Sequence, residues 1–163
     1  MTRPLRFALV PATLATLAAC TGPGPTAMPG PPAKEEIVAV TASHHLVRFN
    51  AGQPQNLRER RPLAGLRDGE TLVGIDYRVA RGELFALGAS GQLYRIDVAA
   101  ARAVPVGTPV GLPGPAREWG FDFNPTVDRI RVVNDNGDNL RLHPDTGAAV
   151  DGDANAPGWQ PDS

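Results

Sequence analysis

Two stretches of equal length decide the fold of this chain: VGIDYRVARGELFALGASGQLYRIDVAAARAV (Val73–Val104) and WGFDFNPTVDRIRVVNDNGDNLRLHPDTGAAV (Trp119–Val150). They align without a gap, because each position in the second lies 46 residues after its match in the first. A partial third copy, IVAVTASHHLVRFN (Ile37–Asn50), overlays Leu84–Asp97 at a spacing of 47. Identical pairs in the two full copies include Gly74/Gly120, Asp76/Asp122, Gly91/Gly137 and Arg95/Arg141. The chain is therefore built from a structural repeat.

Each unit of the repeat has the pattern of short antiparallel strands. In GIDYR, Ile75 and Tyr77 alternate with Asp76, which is the two-residue period of a half-buried strand. Asn136-Gly137 is typical of tight hairpins, because both residue types tolerate positive φ. A fourth short strand, AVPVG in one copy and AAV in the other, closes the unit. The sequence therefore predicts an all-β fold of β-propeller-like blades with about four antiparallel strands each.

The number of units is smaller than in a complete propeller. The chain has two nearly whole units and one partial unit, whereas propellers use about four to eight blades. One blade cannot bury both of its faces, so neighbouring blades must stack. We therefore expect a partial propeller with three alternatives for its closure. It is a cut-short version of a longer array, it closes by self-association through free strand edges, or it remains an open stack.

The first 19 residues predict a targeting segment. Arg3 and Arg6 precede an apolar run, Phe7–Ala19, that is too short to span a bilayer as a stable helix. The run ends in LAAC at Cys20, which resembles the lipobox of bacterial lipoproteins, where the cysteine is acylated after cleavage before it. The alternative is an ordinary secretory peptide with a chance cysteine. Because Cys20 is the only cysteine, acylation would also remove a free thiol from an oxidising compartment, and we expect a membrane anchor there.

These features divide the chain into four parts. The signal peptide covers residues 1–19, the lipidated cysteine and Pro/Gly-rich tether 20–36, the repeat domain 37–150 and a C-terminal tail 151–163. The tether composition favours extended polyproline geometry. In Gram-negative lipoproteins, an aspartate after the cysteine is associated with retention at the inner membrane, and here Thr21 stands in that place. We therefore expect anchoring at the cell envelope, at the outer rather than the inner membrane, exposed to the periplasm or the exterior.

The charge balance and the motif content exclude several function classes. A formal net charge of -1 gives no electrostatic case for a nucleic-acid partner, which requires a basic patch or stripe. The sequence contains no P-loop, no G-x-S-x-G motif and no Cys/His spacing of a metal site. No nucleotide, transition-metal or serine-hydrolase chemistry is therefore predicted from motifs.

The repeat also carries a resemblance to a known family. It lies in TLVGIDYRVARGELFALGASGQLYRID and in GFDFNPTVDRIRVVNDNGDNLRLHPDTGA. These stretches resemble the bacterial domain of unknown function 4394, in which G-I-D-x-R-P-A-x-G-x-L-Y-x-L-G is followed by G-F-D-F-N-P-x-x-D-R-I-R-V-V. The resemblance covers roughly residues 37–150 and is most specific from Gly120 to Val133. It implies an exported, propeller-like protein and supplies no catalytic residues. Family members usually continue with further repeats, whereas this chain stops at Ser163.

The repeated aspartates Asp76 and Asp122 form the first candidate site. They lie on the face of their strands opposite the aromatic side chains, so innermost strands would direct them into a central channel. Converging carboxylates suit Ca²⁺, which prefers several oxygen ligands, and no other cofactor is expected. The alternative, which we favour, is that each aspartate accepts hydrogen bonds from backbone amides of its own blade or the next.

Two further polar clusters are explained by turns. The run Asn134–Asn139 suggests a calcium loop, but with Gly137 at the invariant glycine of an EF-hand the first ligand position would be Val132. The triplet Ser43–His45 suggests nucleophilic catalysis, yet the repeat aligns it with the turn at Ser90–Gln92. Neither cluster is predicted to be a site.

Arginines recur at one strand position of all three units, as Arg48, Arg95 and Arg141. A repeated arginine suits a surface that recognises carboxylates, including the acidic groups of sugars, so a protein or glycan ligand is the predicted partner. The alternative is an ion pair on an outer face, or an arginine stem that packs along the sheet.

These observations favour a binding or scaffold module, anchored by lipid at the bacterial cell envelope. The second hypothesis is a propeller-type envelope hydrolase or lyase that uses the channel-facing Asp76 and Asp122. Substitution of either aspartate would distinguish the two, since only the enzyme would lose turnover while keeping its fold.

Overall fold

The computed structural model describes residues 30–112, 114 and 116–150. Every regular element in these ranges is a β-strand. The strands are β1 (Glu36–Val40), β2 (His45–Asn50), β3 (Leu57–Pro62), β4 (Leu72–Arg78), β5 (Glu83–Gly88), β6 (Leu93–Asp97), β7 (Arg102–Val106), β8 (Trp119–Asn124), β9 (Arg129–Asn134) and β10 (Asn139–Leu142). The predicted targeting segment at 1–19, most of the tether and the tail at 151–163 lie outside the described residues.

The strands form three antiparallel sheets, none of which closes into a barrel. The first sheet has the order β1-β2-β3, the second β4-β5-β6-β7 and the third β10-β9-β8. All the strand pairs are formed between neighbours in the sequence, as in the blades of a propeller. The prediction of an all-β, propeller-like fold is therefore confirmed. Within the described ranges, no helix is long and apolar enough to cross a membrane.

The sequence repeat maps directly onto the sheets. The spacing of 46 places β8, β9 and β10 over β4, β5 and β6, and the spacing of 47 places β1 and β2 over β5 and β6. The second sheet therefore shows the whole unit. Among the described residues, the first sheet has no counterpart of β4, the first strand of the unit.

The predicted fourth strand of the third sheet pairs with β10 as far as the described residues extend. Leu142 and Ala149 form an antiparallel bridge. On either side of this bridge, the His143 amide donates to the Ala148 carbonyl at 2.9 Å and the Val150 amide donates to the Arg141 carbonyl at 2.7 Å. The AAV segment therefore lies beside β10 as β7 lies beside β6.

The second sheet is buried on both faces. One face contributes Leu84, Ala86, Tyr94 and Ile96 to a core shared with the first sheet, where Leu46 is fully buried. The other face contributes Phe85, Leu87 and Leu93 to a core shared with the third sheet. In that second core, the rings of Phe85 and Phe123 lie 5.3 Å apart in a tilted arrangement. Alternation along β5 therefore supplies apolar side chains to both neighbours.

Polar contacts join the first and second sheets at their outer side. The Arg61 side chain donates to the carbonyl oxygens of Val98 and Ala99, both at 2.8 Å. Ala64 also forms a parallel bridge with Arg102 of β7. The end of the first sheet is thereby tied to the outermost strand of the second.

The second and third sheets approach most closely at their innermost strands, β4 and β8. A Cβ atom on Gly74 would lie 2.4 Å from the Cβ atom of Phe121, so only glycine leaves room for this ring. The repeat conserves a glycine here in both copies, Gly74 and Gly120, and the structure explains the first of them by this contact.

Substitution Gly74→Ala tests the contact between β4 and β8. The added methyl group would overlap Phe121, and the displacement should lower the free energy of unfolding by about 1–3 kcal/mol. Gly111→Ala is the matched control, since no heavy atom lies within 4 Å of the added Cβ. Urea denaturation measures both. Equal stability of the two variants would contradict the close approach.

Candidate functional site

The carboxylate of Asp76 lies between the second and third sheets and is bound by two backbone amides. Its Oδ2 accepts the amide N–H of Phe123 in β8, at 2.7 Å, and its Oδ1 accepts the amide N–H of Tyr77, also at 2.7 Å. One bond is within its own blade and the other reaches the next blade. This is the backbone-amide arrangement that the sequence analysis favoured for this residue.

Asp122 occupies the same repeat position but a different environment. It is exposed on β8 and lies opposite Arg131 in the register of β8 and β9. In the ranges that the structure describes, no group of three or more His, Cys, Asp or Glu side chains is arranged to hold a metal ion. Asp76 and Asp122 therefore have different partners, and a calcium site at them stays a prediction.

The strongest electrostatic cluster surrounds Arg78, which the sequence analysis did not single out. Arg78 ends β4, and only 2% of its surface is exposed. Its Nε donates to Asp128 Oδ1 at 2.8 Å and its Nη2 to Asp128 Oδ2, so the pair is bidentate. Its Nη1 donates to Asp145 Oδ1 at 2.5 Å and lies 3.5 Å from Glu83 Oε2. Both aspartates belong to the third unit, so this cluster joins two blades.

Asp128 has an unusual backbone conformation in the turn between β8 and β9. Its φ is 51°, in the left-handed region that favours glycine. The repeat aligns Asp128 with Gly82, whose φ is 65°. The third unit therefore places an aspartate where the second unit has glycine, and its carboxylate binds the buried arginine.

The ion pairs shift the titration of all three groups. Hydrogen bonds to Arg78 hold the pKa of Asp128 and the pKa of Asp145 below the usual value for aspartate. The same hydrogen bonds raise the pKa of Arg78 above its usual value. The arrangement is a charged, permanently ionised link at neutral pH.

A second buried acid, Glu70, lies in the segment between the first and second sheets. Its carboxylate accepts the Ser90 hydroxyl at 2.5 Å, the Ser90 amide at 3.1 Å and the Tyr94 hydroxyl at 3.0 Å. Burial acts to raise the pKa of Glu70, but these hydrogen bonds outweigh it and leave the pKa below its usual value. A Cβ atom on Gly88 would lie 2.5 Å from the Glu70 carboxyl carbon. Glu70 is therefore a satisfied buried acid that fixes the loop onto the second sheet.

The recurring arginines lie on three different sheets. Arg48 lies 3.9 Å from Glu59, and Arg95 lies 3.2 Å from Glu83, so both are beside a carboxylate of their own sheet. Arg141 is on β10 of the third sheet. The structure therefore does not bring the three together, and recognition by the recurring arginines stays a prediction.

Arg141 lines a cavity on the outward face of the third sheet, here called the third-sheet groove. The cavity has a volume of about 330 Å³ and is also lined by the polar residues Asn124, Arg129 and Arg131 and by the apolar residues Val127, Ile130 and Val150. Arg131 and Arg141 are paired directly across β9 and β10, and the Arg131 side chain donates to Asn139 Oδ1 at 3.0 Å. Three guanidinium groups on one sheet face form a surface suited to carboxylate recognition.

The groove lies where the second sheet has an apolar face. The spacing of 46 aligns Arg131 with Phe85 and Asn139 with Leu93, both of which are buried in the core shared with the third sheet. The corresponding face of the third sheet therefore has arginine and asparagine side chains at two positions that are apolar in the second sheet. Asp122 lies opposite Arg131 in the register of β8 and β9.

The turns that the sequence analysis set aside are turns in the structure. Asn134 Oδ1 accepts the amides of Asn136 and Asp138, both at 3.0 Å, within the hairpin between β9 and β10. Ser43 Oγ lies 3.2 Å from His45 Nδ1, which is also 2.9 Å from the Ser43 carbonyl oxygen. Local contacts in the hairpin between β1 and β2 therefore explain the position of the His45 ring.

Comparison with known proteins identifies one family. The model of a family described as Domain of unknown function (DUF4394) matches residues 45–159, which is more than half of the chain. The match spans all three sheets from β2 onward. No curated protein and no solved structure gave a match.

Substitution Asp128→Asn tests the link between the second and third sheets. Asparagine tolerates the left-handed conformation, so the change removes the charge with little change of shape. Because Asp128 is partly exposed, we expect the free energy of unfolding at pH 7 to fall by about 1–2 kcal/mol. Asp68→Asn, at an exposed loop position, is the control and should have no effect.

The ion pairs also predict that the effect of Asp128→Asn on stability depends on pH. Because folding lowers the pKa of Asp128 and of Asp145, their contribution is present above the pKa of the unfolded chain and is lost as the pH falls through the folded values. The stability difference between wild type and Asp128→Asn should therefore shrink on acidification below about pH 4. A difference that is constant from pH 7 to pH 2 would contradict the ion pair.

Proposed function

The chain belongs to the DUF4394 family, and we propose that this protein is a lipid-anchored binding module of the bacterial cell envelope. The proposal rests on the LAAC motif at Cys20 and on the Pro/Gly-rich segment that follows it. Acyl chains on Cys20 would hold the protein at the membrane, and the segment would separate the blades from its surface. Outer-membrane placement is part of the proposal, based on Thr21 after the cysteine.

The ligand that we propose is a carboxylate-bearing glycan, and the observation that carries this is the third-sheet groove. Arg129, Arg131 and Arg141 line one cavity on the outward face of the third sheet. Guanidinium groups bind carboxylates through paired, charge-assisted hydrogen bonds, and Asn124 adds amide groups for sugar hydroxyls. The volume of about 330 Å³ is of the order of small-ligand sites.

Binding is favoured over catalysis by the state of the repeated aspartates. Both carboxylate oxygens of Asp76 accept backbone amides, so the group would have to release Phe123 or Tyr77 before it acted as a base. Asp122 lies opposite Arg131 rather than beside a second acid. A hydrolase or lyase that acts through these two residues has less structural support than a recognition surface.

Substitution Cys20→Ser tests the anchor. The variant has no sulfur to acylate, so it should move from the membrane fraction to the soluble envelope fraction. Mass spectrometry of the wild-type protein should show a chain that begins at an acylated Cys20. Recovery of wild-type protein with an unmodified Cys20, or a Cys20→Ser variant that stays with the membrane, would contradict the anchor.

Oligogalacturonate and its methyl ester test the ligand class. The charged oligomer should bind, and Arg131→Gln and Arg141→Gln should each weaken binding about tenfold, which corresponds to about 1.4 kcal/mol for a lost charge-assisted contact. The ester should bind no better than these variants. Arg102→Gln, on the outer strand of the second sheet, is the control. Equal binding of acid and ester by calorimetry would contradict carboxylate recognition.

A further inference from the structure

The inner edge of the first sheet differs from those of the other two. In the second sheet, the innermost strand β4 comes before β5 in the chain and pairs with its inner edge. In the third sheet, β8 pairs with the inner edge of β9 in the same way. In the first sheet, β1 corresponds to the central strand β5, yet it is itself the edge strand among the described residues. Within the described ranges, the first sheet therefore has one strand fewer at its inner side than the second sheet.

Hydrogen-bonding groups of β1 are directed to this edge. The Ala51 amide bonds the Glu35 carbonyl, and the Thr41 amide bonds the His45 carbonyl, so the odd-numbered residues of β1 form the bonded pairs with β2. In an antiparallel ladder, the intervening residues direct their amides and carbonyls to the other side. The backbone groups of Val38 and Val40 therefore face the inner edge and are available to pair with a strand.

A cavity lies between the end of β1 and β4. Its volume is about 330 Å³, and it is lined by Val40 of β1, by the turn residues Thr41, Ala42 and His44, and by Thr71 and residues 72–75 of β4. The opposite side of β4 contacts β8 closely. A further innermost strand that paired with β1 would therefore pack against the side of β4 that faces this cavity.

The contact of β4 with β8 indicates which sequence would fit there. Gly74 of β4 leaves room for Phe121 of β8, and Asp76 of β4 accepts the amide of Phe123. The repeat aligns Phe121 with Ile75 and Phe123 with Tyr77. An incoming strand in the equivalent place would need a glycine over Ile75, and an aspartate to accept the Tyr77 amide.

The register of β4 on β5 shows which residues of β1 would lie opposite the incoming glycine and aspartate. In this register, Gly74 lies opposite Leu87 and Asp76 lies opposite Phe85. The repeat spacing of 47 aligns Leu87 with Val40 and Phe85 with Val38. The incoming strand would therefore run antiparallel to β1, with glycine opposite Val40 and aspartate opposite Val38. An apolar residue would stand between them, and an aromatic residue would follow the aspartate.

The chain does not offer such a strand in the corresponding place. Residues 25–31, which lie 47 positions before β4, read PTAMPGP and include three prolines, which have no amide hydrogen to give to a sheet. The two segments that have the glycine and aspartate pattern are β4 and β8, and both are already paired in their own sheets. A second copy of the chain would have to open a sheet to donate either one.

We propose that the inner edge of β1 accepts an extended strand from a partner protein, with the pattern apolar-Gly-apolar-Asp-aromatic. The partner strand completes the first sheet, places its glycine over Ile75 and accepts the Tyr77 amide through its aspartate. Tyr77 now donates that amide to Asp76 of its own strand, at 2.7 Å. Strand addition of this kind takes affinity from main-chain hydrogen bonds and specificity from alternate side chains. The site is separate from the third-sheet groove.

The test uses the full chain in detergent micelles and a synthetic peptide, TLVGIDYRVA, with the sequence of residues 71–80. Calorimetry should show binding, and hydrogen exchange at the Val38 and Val40 amides should slow at least tenfold in its presence. The same peptide with Gly74→Val should bind at least tenfold more weakly, because its valine would collide with Ile75. This arm needs no change in the protein.

Protein variants supply the second arm. Val38→Pro removes an edge amide without removing a β1–β2 bond, and should weaken binding at least tenfold. Arg60→Pro, on the opposite edge of the same sheet, is the matched control. The proposal is overturned if both peptides bind equally, if neither binds, or if Val38→Pro binds as wild type does. It is also overturned if light scattering shows a wild-type dimer that Val38→Pro dissociates, since a second copy would then occupy the edge. Loss of oligogalacturonate binding alone would leave the strand site intact.

Discussion

Burial of both faces of the second sheet is the constraint on which the rest of the structure depends. Along β5, Leu84 and Ala86 contribute to the core shared with the first sheet, while Phe85 and Leu87 contribute to the core shared with the third. A strand that is apolar on both sides must be covered on both sides, because exposure of either face would lose the free energy of hydrophobic burial. Both neighbouring sheets are therefore needed to bury the second sheet, which lies in the middle of the stack.

Directional contacts then fix how the sheets sit on one another. Apolar burial alone is non-directional. The bidentate pair between Arg78 and Asp128, with Asp145 beside it, sets the position of the third sheet relative to β4. At the inner side, the close packing of Phe121 against Gly74 adds a steric constraint. The first sheet is held instead by backbone carbonyls that accept from Arg61. The two interfaces of the central sheet are thus built by different means.

Much of this architecture can be predicted from the repeat, but interactions between the units cannot. Hydrophobic period and turn residues predict the strands, because most strand positions that are apolar in one unit are apolar in the next. The Arg78 cluster could not be found in this way, since the repeat aligns Arg78 with Asn124 and Asp128 with Gly82. An interaction between units needs different residues on its two sides, so it breaks the periodicity. The positive φ of Asp128 is shared with Gly82 at the same turn position of the repeat, but the ion pair between Asp128 and Arg78 has no equivalent in the repeat. Likewise, the three recurring arginines suggested one surface, whereas repeat-equivalent residues on stacked sheets lie on different blades.

If the second sheet orders the first and third sheets, it is the most stable part of the fold. Native-state hydrogen exchange measures this most directly, because each amide reports the free energy of the opening that exposes it. We predict that the amides of β5 and β6 exchange most slowly, with the free energy of global unfolding, and that those of β1 and β8 exchange through smaller openings. Slower exchange in the first or third sheet than in β5 would contradict this prediction, because a sheet that is ordered by the second sheet cannot stay folded after the second sheet has opened.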